Sequence, residues 1–176
     1  MILPFSTKLN GKPTYFVEKI FKGIKKALND ETYYKIAYSI PPGEMLKPYK
    51  LDVDKYHEVY SKIHTIREDK KDRWKPGTMI DFYINTRTKD MFRFAPRIPV
   101  VSTQKIKITH IGNTRNVSID NMLFYFGCPN DEYQTIMIDK MLSFAQNDGF
   151  DTLKDFFAYF NEDFTGKIIH WTDKRY

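Results

Sequence analysis

The sequence has almost no cysteine, which excludes a fold held together by disulfides. Cys128 is the only cysteine among 176 residues, so no disulfide can form within the chain. Such chains are typical of reducing compartments. No apolar run is long enough to span a membrane, and no basic segment followed by an apolar one begins the chain. We therefore expect a cytoplasmic protein with no signal peptide and no membrane partner.

Motifs that hold metals or cofactors are also lacking. The histidines His57, His64, His110 and His170 show no metal-ligand spacing, and one cysteine cannot build a sulfur site. There is no glycine-rich phosphate loop and no Gly-x-Ser-x-Gly nucleophile motif. We expect no metal and no cofactor, and we interpret Cys128 as a small buried residue.

What the sequence does have is apolar and aromatic content, with an uneven charge. Hydrophobic residues make up 41% and aromatic residues 16%, which is typical of a folded protein. The length suits one domain over residues 1–176. Residues 62–115 carry thirteen Lys and Arg against five Asp and Glu, whereas residues 116–176 carry five against ten. The basic middle segment favours an anionic partner such as RNA, DNA or a nucleotide, but a solvated basic surface without a partner is equally compatible.

Apolar periodicity predicts a first helix over residues 15–29. Phe16, Ile20 and Ile24 recur every four residues, while Lys19 and its neighbouring lysines lie mostly off this stripe. Thr14 is the predicted N-cap.

Two further helices are predicted near the end of the sequence. One spans residues 139–146 and ends at Gly149, which can adopt a left-handed cap. Asp151 is the predicted N-cap of the next helix. The buried face of that helix follows an i, i+3, i+4, i+7 pattern of Leu153, Phe156, Phe157 and Phe160.

Alternation of apolar and polar residues predicts short strands between the helices. They are expected at residues 35–40, 78–85, 91–95, 100–110, 115–126 and 167–172. Residues 41–60 are irregular. The pattern indicates an α+β fold, a small mixed β-barrel with helices on its rim.

Residues 62–67, Lys-Ile-His-Thr-Ile-Arg, form the most unusual segment. In a strand, Lys62, His64 and Ile66 would share one face, and Thr65 and Arg67 the other. Buried Lys and Arg are costly unless paired, so the simplest interpretation is an exposed edge strand. Trp74 in the charged loop that follows is expected either to pack on the core or to stack on a base.

Four segments together resemble the ASCH family, which has a PUA-like β-barrel. They are Gly-Ile at 23–24, Lys-Ile-His-Thr-Ile-Arg at 62–67, Trp-Lys-Pro-Gly at 74–77 and Ala-Gln-Asn-Asp-Gly-Phe at 145–150. The sequence departs from the family pattern in two ways. The glycine and the lysine are normally adjacent, whereas here a probable insertion over about residues 25–61 separates them. The acid is Asp148 instead of Glu, one methylene shorter.

The resemblance extends to small bacterial enzymes that hydrolyse the acetyl amide of N4-acetylcytidine. It places their catalytic roles on Lys62, Thr65 and Asp148. In this arrangement Lys62 takes the proton of the Thr65 hydroxyl, and Asp148 protonates the leaving amine. Arg67 and Trp74 are the expected substrate-binding residues.

Three functions stay open from the sequence. The first is an ASCH-like domain that binds RNA or a modified nucleoside without chemistry. The second is an amidohydrolase acting on N4-acetylcytidine or a related acetylated nucleoside. The third is an interaction module whose aromatic C-terminal helix docks a protein. Lys62, Thr65 and an acid together favour the second function over the first, and the basic segment favours the first over the third. The sequence does not determine the oligomeric state.

Overall fold

The computed structural model describes residues 1–27, 52–127 and 135–176. The strand predicted at residues 35–40 and the prediction for Cys128 lie outside these residues. The described elements are, in chain order, β1 Ile2–Phe5, β2 Lys8–Leu9, β3 Lys12–Pro13, α1 Phe16–Ala27, α2 Val53–Glu58, β4 His64–Arg67, β5 Met79–Ile84, β6 Phe92–Arg93, β7 Ile98–Pro99, β8 Ser102–Ile111, β9 Thr114–Ile119, β10 Met122–Gly127, α3 Thr135–Asn147, α4 Leu153–Tyr159 and β11 Phe164–His170.

Helix α1 begins where the sequence indicated. The Thr14 hydroxyl accepts a hydrogen bond from the backbone N–H of Phe16 at 3.3 Å. The apolar stripe is buried as expected, with Ile20 and Ile24 fully enclosed. The interpretation of Lys19 as a residue off the buried face was wrong, because its side chain is only 2% exposed. Lys19 lies three residues after Phe16 and therefore shares its side of the helix.

Four strands form a first sheet in which β5 is central. Strand β1 pairs with β5 in parallel, and β6 and β7 pair with β5 antiparallel. Ile80, Phe82 and Ile84 are buried, and the alternate residues of β5 are not, which confirms the predicted alternation. Together with α1 these strands enclose the first of two hydrophobic cores, and Trp74 is part of it.

Five strands form the second sheet in the order β10-β9-β8-β11-β4. Ile106 and Ile108 of β8 face the second core, which α3 and α4 also line. Among the described residues, strand β4 is at the edge of this sheet and pairs with β11 alone. It is not exposed, however: His64, Thr65 and Ile66 are buried. The interpretation of residues 62–67 as an exposed edge strand was therefore wrong.

Helix α4 is capped by a different residue from the one predicted. The side chain of Thr152 accepts from the backbone N–H of Asp155 at 3.1 Å and is the N-cap. Asp151 instead lies 2.8 Å from Lys19 Nζ in an ion pair. The aromatic stripe predicted for this helix is confirmed, since Phe156 and Phe157 are buried in the second core.

The fold is mixed α+β, with several sheets and helices. The sheets of the described residues do not close into a barrel. No helix within these residues is long and apolar enough to cross a membrane.

Candidate functional site

The site forms where the two cores meet, at the start of β4. Regular pairing of β4 begins at His64, so Lys62 precedes the strand and its side chain does not follow the alternation. Lys62 consequently lines the same cleft as Thr65 and Arg67, whereas His64 is enclosed beside Phe144. The prediction that Lys62 and His64 share a face was wrong, because the strand was taken to start two residues too early.

Gly23 allows the backbone before β4 to lie directly against α1. A Cβ atom at Gly23 would be 1.9 Å from the Lys62 carbonyl oxygen, so only glycine permits this approach. The Lys62 N–H donates to the Lys19 carbonyl at 2.9 Å, and this hydrogen bond also holds the Lys62 backbone against α1. The glycine and lysine that the insertion separates in sequence are thus neighbours in space. Gly23 lies within α1, four residues before its last residue, Ala27.

Asp148 follows the end of α3, in the turn that leads to α4. Gly149 has a φ of +94°, a left-handed conformation that glycine adopts without strain. A Cβ atom there would lie 2.8 Å from the Phe16 ring and 3.0 Å from Lys62 Cδ. This turn places the Asp148 side chain in the cleft, 3% exposed.

Lys62 and Asp148 form a buried ion pair. Lys62 Nζ lies 2.6 Å from Asp148 Oδ1 and also donates to the Asp148 carbonyl oxygen. The Ile66 N–H donates to the same Oδ1 at 3.2 Å. The shorter aspartate side chain therefore reaches the lysine without the extra methylene of a glutamate.

Burial pushes both groups towards their neutral forms. It lowers the pKa of Lys62 to about 8, against the attraction of Asp148, and Arg67 and Lys19 lower it further. Burial likewise raises the pKa of Asp148, although the Lys62 ammonium opposes that shift. A neutral amine is a proton acceptor and a neutral carboxyl is a proton donor, so transfer of the Lys62 proton to Asp148 would supply a base and an acid within one pair.

The cleft has a volume of about 330 Å³ and contains all three predicted catalytic side chains. Phe5 and Phe16 flank the ammonium of Lys62, with ring centroids 5.9 and 5.1 Å from Nζ. Arg67 lines the cleft too, where it donates to the Pro4 carbonyl at 2.8 Å. The lining residues are Pro4, Phe5, Ser6, Leu9, Phe16, Lys62, Thr65, Arg67, Thr86, Asp148, Phe150 and Tyr159.

Trp74 does not line the cleft. Its side chain is 4% exposed and packs in the first core, so the packing alternative describes it and the base-stacking alternative does not. A substrate in the cleft would contact Phe16, Phe150 or Tyr159 instead.

Lys19 is the residue of this site that the sequence analysis missed. Its Nζ donates to the Gly149 carbonyl and to Asp151, both at 2.8 Å. The Lys19 carbonyl also accepts the hydrogen bond from the Lys62 N–H. Lys19 therefore links the segment that carries Lys62 to the turn that carries Asp148. The position of Lys19 on α1 could have indicated its place in the site. Lys19 follows Phe16 by three residues and precedes Gly23 by four, so the three residues share one side of the helix.

Many charges of the basic middle segment are paired with acids. Lys75 lies 3.6 Å from Asp72, and Arg97 contacts Asp81 at 2.8 Å. The lysines of β8, Lys105 and Lys107, line a separate cavity that shares no residue with the cleft. Any polyanion bound there would lie outside the cleft. No group of three or more His, Cys, Asp or Glu side chains in the described parts of the chain could hold a metal ion.

Comparison of the chain with known proteins identified no relative. No protein-family model, no curated protein and no solved structure matches the chain.

Proposed function

We propose that the protein is an ASCH-like amidohydrolase that removes the acyl group from an N-acylated nucleoside, with N4-acetylcytidine as the representative substrate. One observation carries the proposal: Lys62, Thr65 and Asp148 line a single buried cleft although 83 positions separate Thr65 from Asp148. The packing of Gly23 on Lys62 supports the ASCH resemblance, because it brings the separated motif together. We extend the proposal to a PUA-like arrangement of the two sheets.

The first half of the proposed reaction forms an acyl enzyme. Neutral Lys62 takes the Thr65 hydroxyl proton, and Thr65 Oγ attacks the carbonyl carbon of the acetyl amide. Protonated Asp148 gives its proton to the amide nitrogen as the C–N bond breaks. Cytidine leaves as a neutral amine, and the acetyl group stays on Thr65 as an ester.

Water completes the reaction. The Asp148 carboxylate left by the first half takes a proton from water, which attacks the ester carbonyl and releases acetate, while Lys62 returns its proton to Thr65 Oγ. The net change is amide plus water to amine, acetate and one proton. Arg67, whose guanidinium borders the cleft, is positioned to stabilise negative charge on the carbonyl oxygen during both attacks.

The same geometry supports a second candidate, binding of a modified nucleoside without hydrolysis. Lys62 Nζ lies 2.6 Å from the Asp148 carboxylate and also contacts the Asp148 carbonyl oxygen, so the two residues satisfy one another as an ion pair without a substrate. In that case the pair would shape the cleft and present hydrogen bonds to a base.

Acetate release distinguishes the two candidates. We expect purified protein to release acetate and cytidine from N4-acetylcytidine, and Lys62→Ala to lower kcat/KM by roughly a hundredfold or more, as expected for loss of a general base. Thr65→Val, which keeps the shape of the side chain but removes the hydroxyl, should abolish turnover. If the wild type releases no more acetate than Thr65→Val, hydrolysis is refuted. Binding of intact N4-acetylcytidine by the same sample would then support the second candidate.

A further inference from the structure

A second cavity of about 450 Å³ adjoins the cleft. The two cavities share the lining residues Leu9, Phe16, Phe150 and Tyr159, while Lys62 lines the cleft and Lys19 lines the second cavity. A ligand whose reacting end contacts Lys62 and that extends along these shared residues would enter the second cavity. The cleft, with a volume of about 330 Å³, is large enough for a base, so the second cavity would hold a different part of the ligand.

The polar lining of the second cavity carries no net charge. Lys12 and Lys19 are balanced by Asp151 and Asp155. The charge of Lys19 is already engaged by Asp151 at 2.8 Å. A phosphate group would thus meet one unengaged ammonium group and two carboxylates, which is unfavourable for an anion.

Hydroxyl groups suit this lining better than phosphate does. The carboxylates accept hydrogen bonds, the Lys12 ammonium donates them, and the side-chain amides of Asn10 and Asn161 do both. The Tyr159 ring, 46% exposed and packed 5.4 Å from the Phe150 ring, offers an apolar face for the C–H groups of a sugar.

We propose that the second cavity is a sugar subsite, which holds the ribose of a nucleoside whose acylated base occupies the cleft. This inference rests on the proposed function for the identity of the base, but it makes a separate claim about binding. The protein should select nucleosides over free bases, and nucleosides over nucleoside 5′-phosphates.

Calorimetric titration of cytidine, cytosine and cytidine 5′-monophosphate tests the subsite without requiring turnover. We expect cytidine to bind at least tenfold more tightly than cytosine, and the 5′-monophosphate to bind more weakly than cytidine at low salt. Asp155→Asn and Asn161→Ala should each weaken cytidine binding about threefold to tenfold, the range for one hydrogen bond, and leave cytosine binding unchanged. Asp139→Asn, an exposed carboxylate on α3, is the matched control and should change neither.

Several outcomes would overturn the subsite. They are equal affinities for cytidine and cytosine, tighter binding of the 5′-monophosphate, absence of binding by all three compounds, and equal effects of Asp155→Asn on cytidine and cytosine. Asn161→Ala supplies an independent reading if Asp155→Asn lowers the melting temperature, because Asp155 also contacts the cap residue Thr152. Absence of acetate release would refute the proposed reaction. The relative affinities for cytidine and cytosine would still show whether the second cavity binds ribose.

Discussion

Breaking the buried Lys62–Asp148 pair should destabilise the fold far more than breaking an exposed pair. The two side chains are 2% and 4% exposed and lie 2.6 Å apart. Asp148→Asn leaves a buried ammonium without its carboxylate, and Lys62→Met leaves a buried carboxylate without its ammonium. Loss of one partner of such a pair costs roughly 3–5 kcal/mol. For a chain of this length, that corresponds to a fall in melting temperature of roughly 6–20 °C.

A double-mutant cycle at pH 7 measures the coupling. The double variant Lys62→Met/Asp148→Asn contains no unpaired buried charge, so its loss of unfolding free energy should be smaller than the sum of the two single losses. Lys55→Met, which breaks the exposed Lys55–Glu58 pair, is the control and should leave the melting temperature unchanged within error. Single losses below about 1 kcal/mol, or losses that simply add, would refute the account of a buried, coupled pair.

Three further variants test the fold around the site. Gly23→Ala should lower the melting temperature and Lys62-dependent activity together, because its Cβ would collide with the Lys62 carbonyl; an unchanged enzyme would contradict that packing. Burial and Arg175 lower the pKa of His170 to about 4, so the unfolded chain takes up more protons between pH 6.5 and 4 and stability should fall as the pH drops through that window. In His170→Phe, the urea midpoint should fall less between pH 7 and pH 5 than it does in the wild type. An equal fall in both proteins would contradict the role of His170. Phe157→Ala should cost roughly 3 kcal/mol and Thr152→Ala about 1 kcal/mol, and equal thermal shifts would show that one placement is wrong.

The elements that the sequence predicted well have one face against a core and one against solvent. In β5 the alternation of apolar and other residues from Met79 to Ile84 matches the alternation of buried and less buried side chains, because successive side chains of a strand point to opposite faces. The same holds for α4, where the apolar spacing matches the helical period. Such patterns are local, so a single sequence is enough to interpret them.

The errors occurred where tertiary contacts override local pattern. Lys19 was interpreted as lying off the apolar stripe of α1, but Gly149 and Asp151, about 130 positions later, satisfy its ammonium group in the buried interior. Asp151 is a good N-cap type, yet its use in that ion pair leaves the cap to Thr152.

The three candidate catalytic residues were named through the ASCH resemblance, and their geometry depends on residues that no local pattern identifies. Thr65 reaches the cleft because β4 begins at His64. The Lys62 segment is held by Gly23 and by the Lys19 carbonyl. The contact between Lys62 and Asp148 joins positions 86 residues apart. Only a structure gives such distances.

The pH dependence of acetate release from N4-acetylcytidine is the most direct test of the proposed mechanism. Burial lowers the pKa of Lys62 to about 8, and a general base acts in its deprotonated form. The proposed reaction also requires Asp148 in its protonated form, so the reacting pair holds one proton, the same number as the ion pair, and loses it above the pKa of Lys62. We therefore predict that kcat/KM of the wild type falls as the pH rises, with a midpoint near 8, and that Lys62→Ala loses both this fall and most of the rate. A profile that is flat or rises through pH 8, or a Lys62→Ala variant with wild-type acetate release, would contradict the assignment of Lys62 as the base.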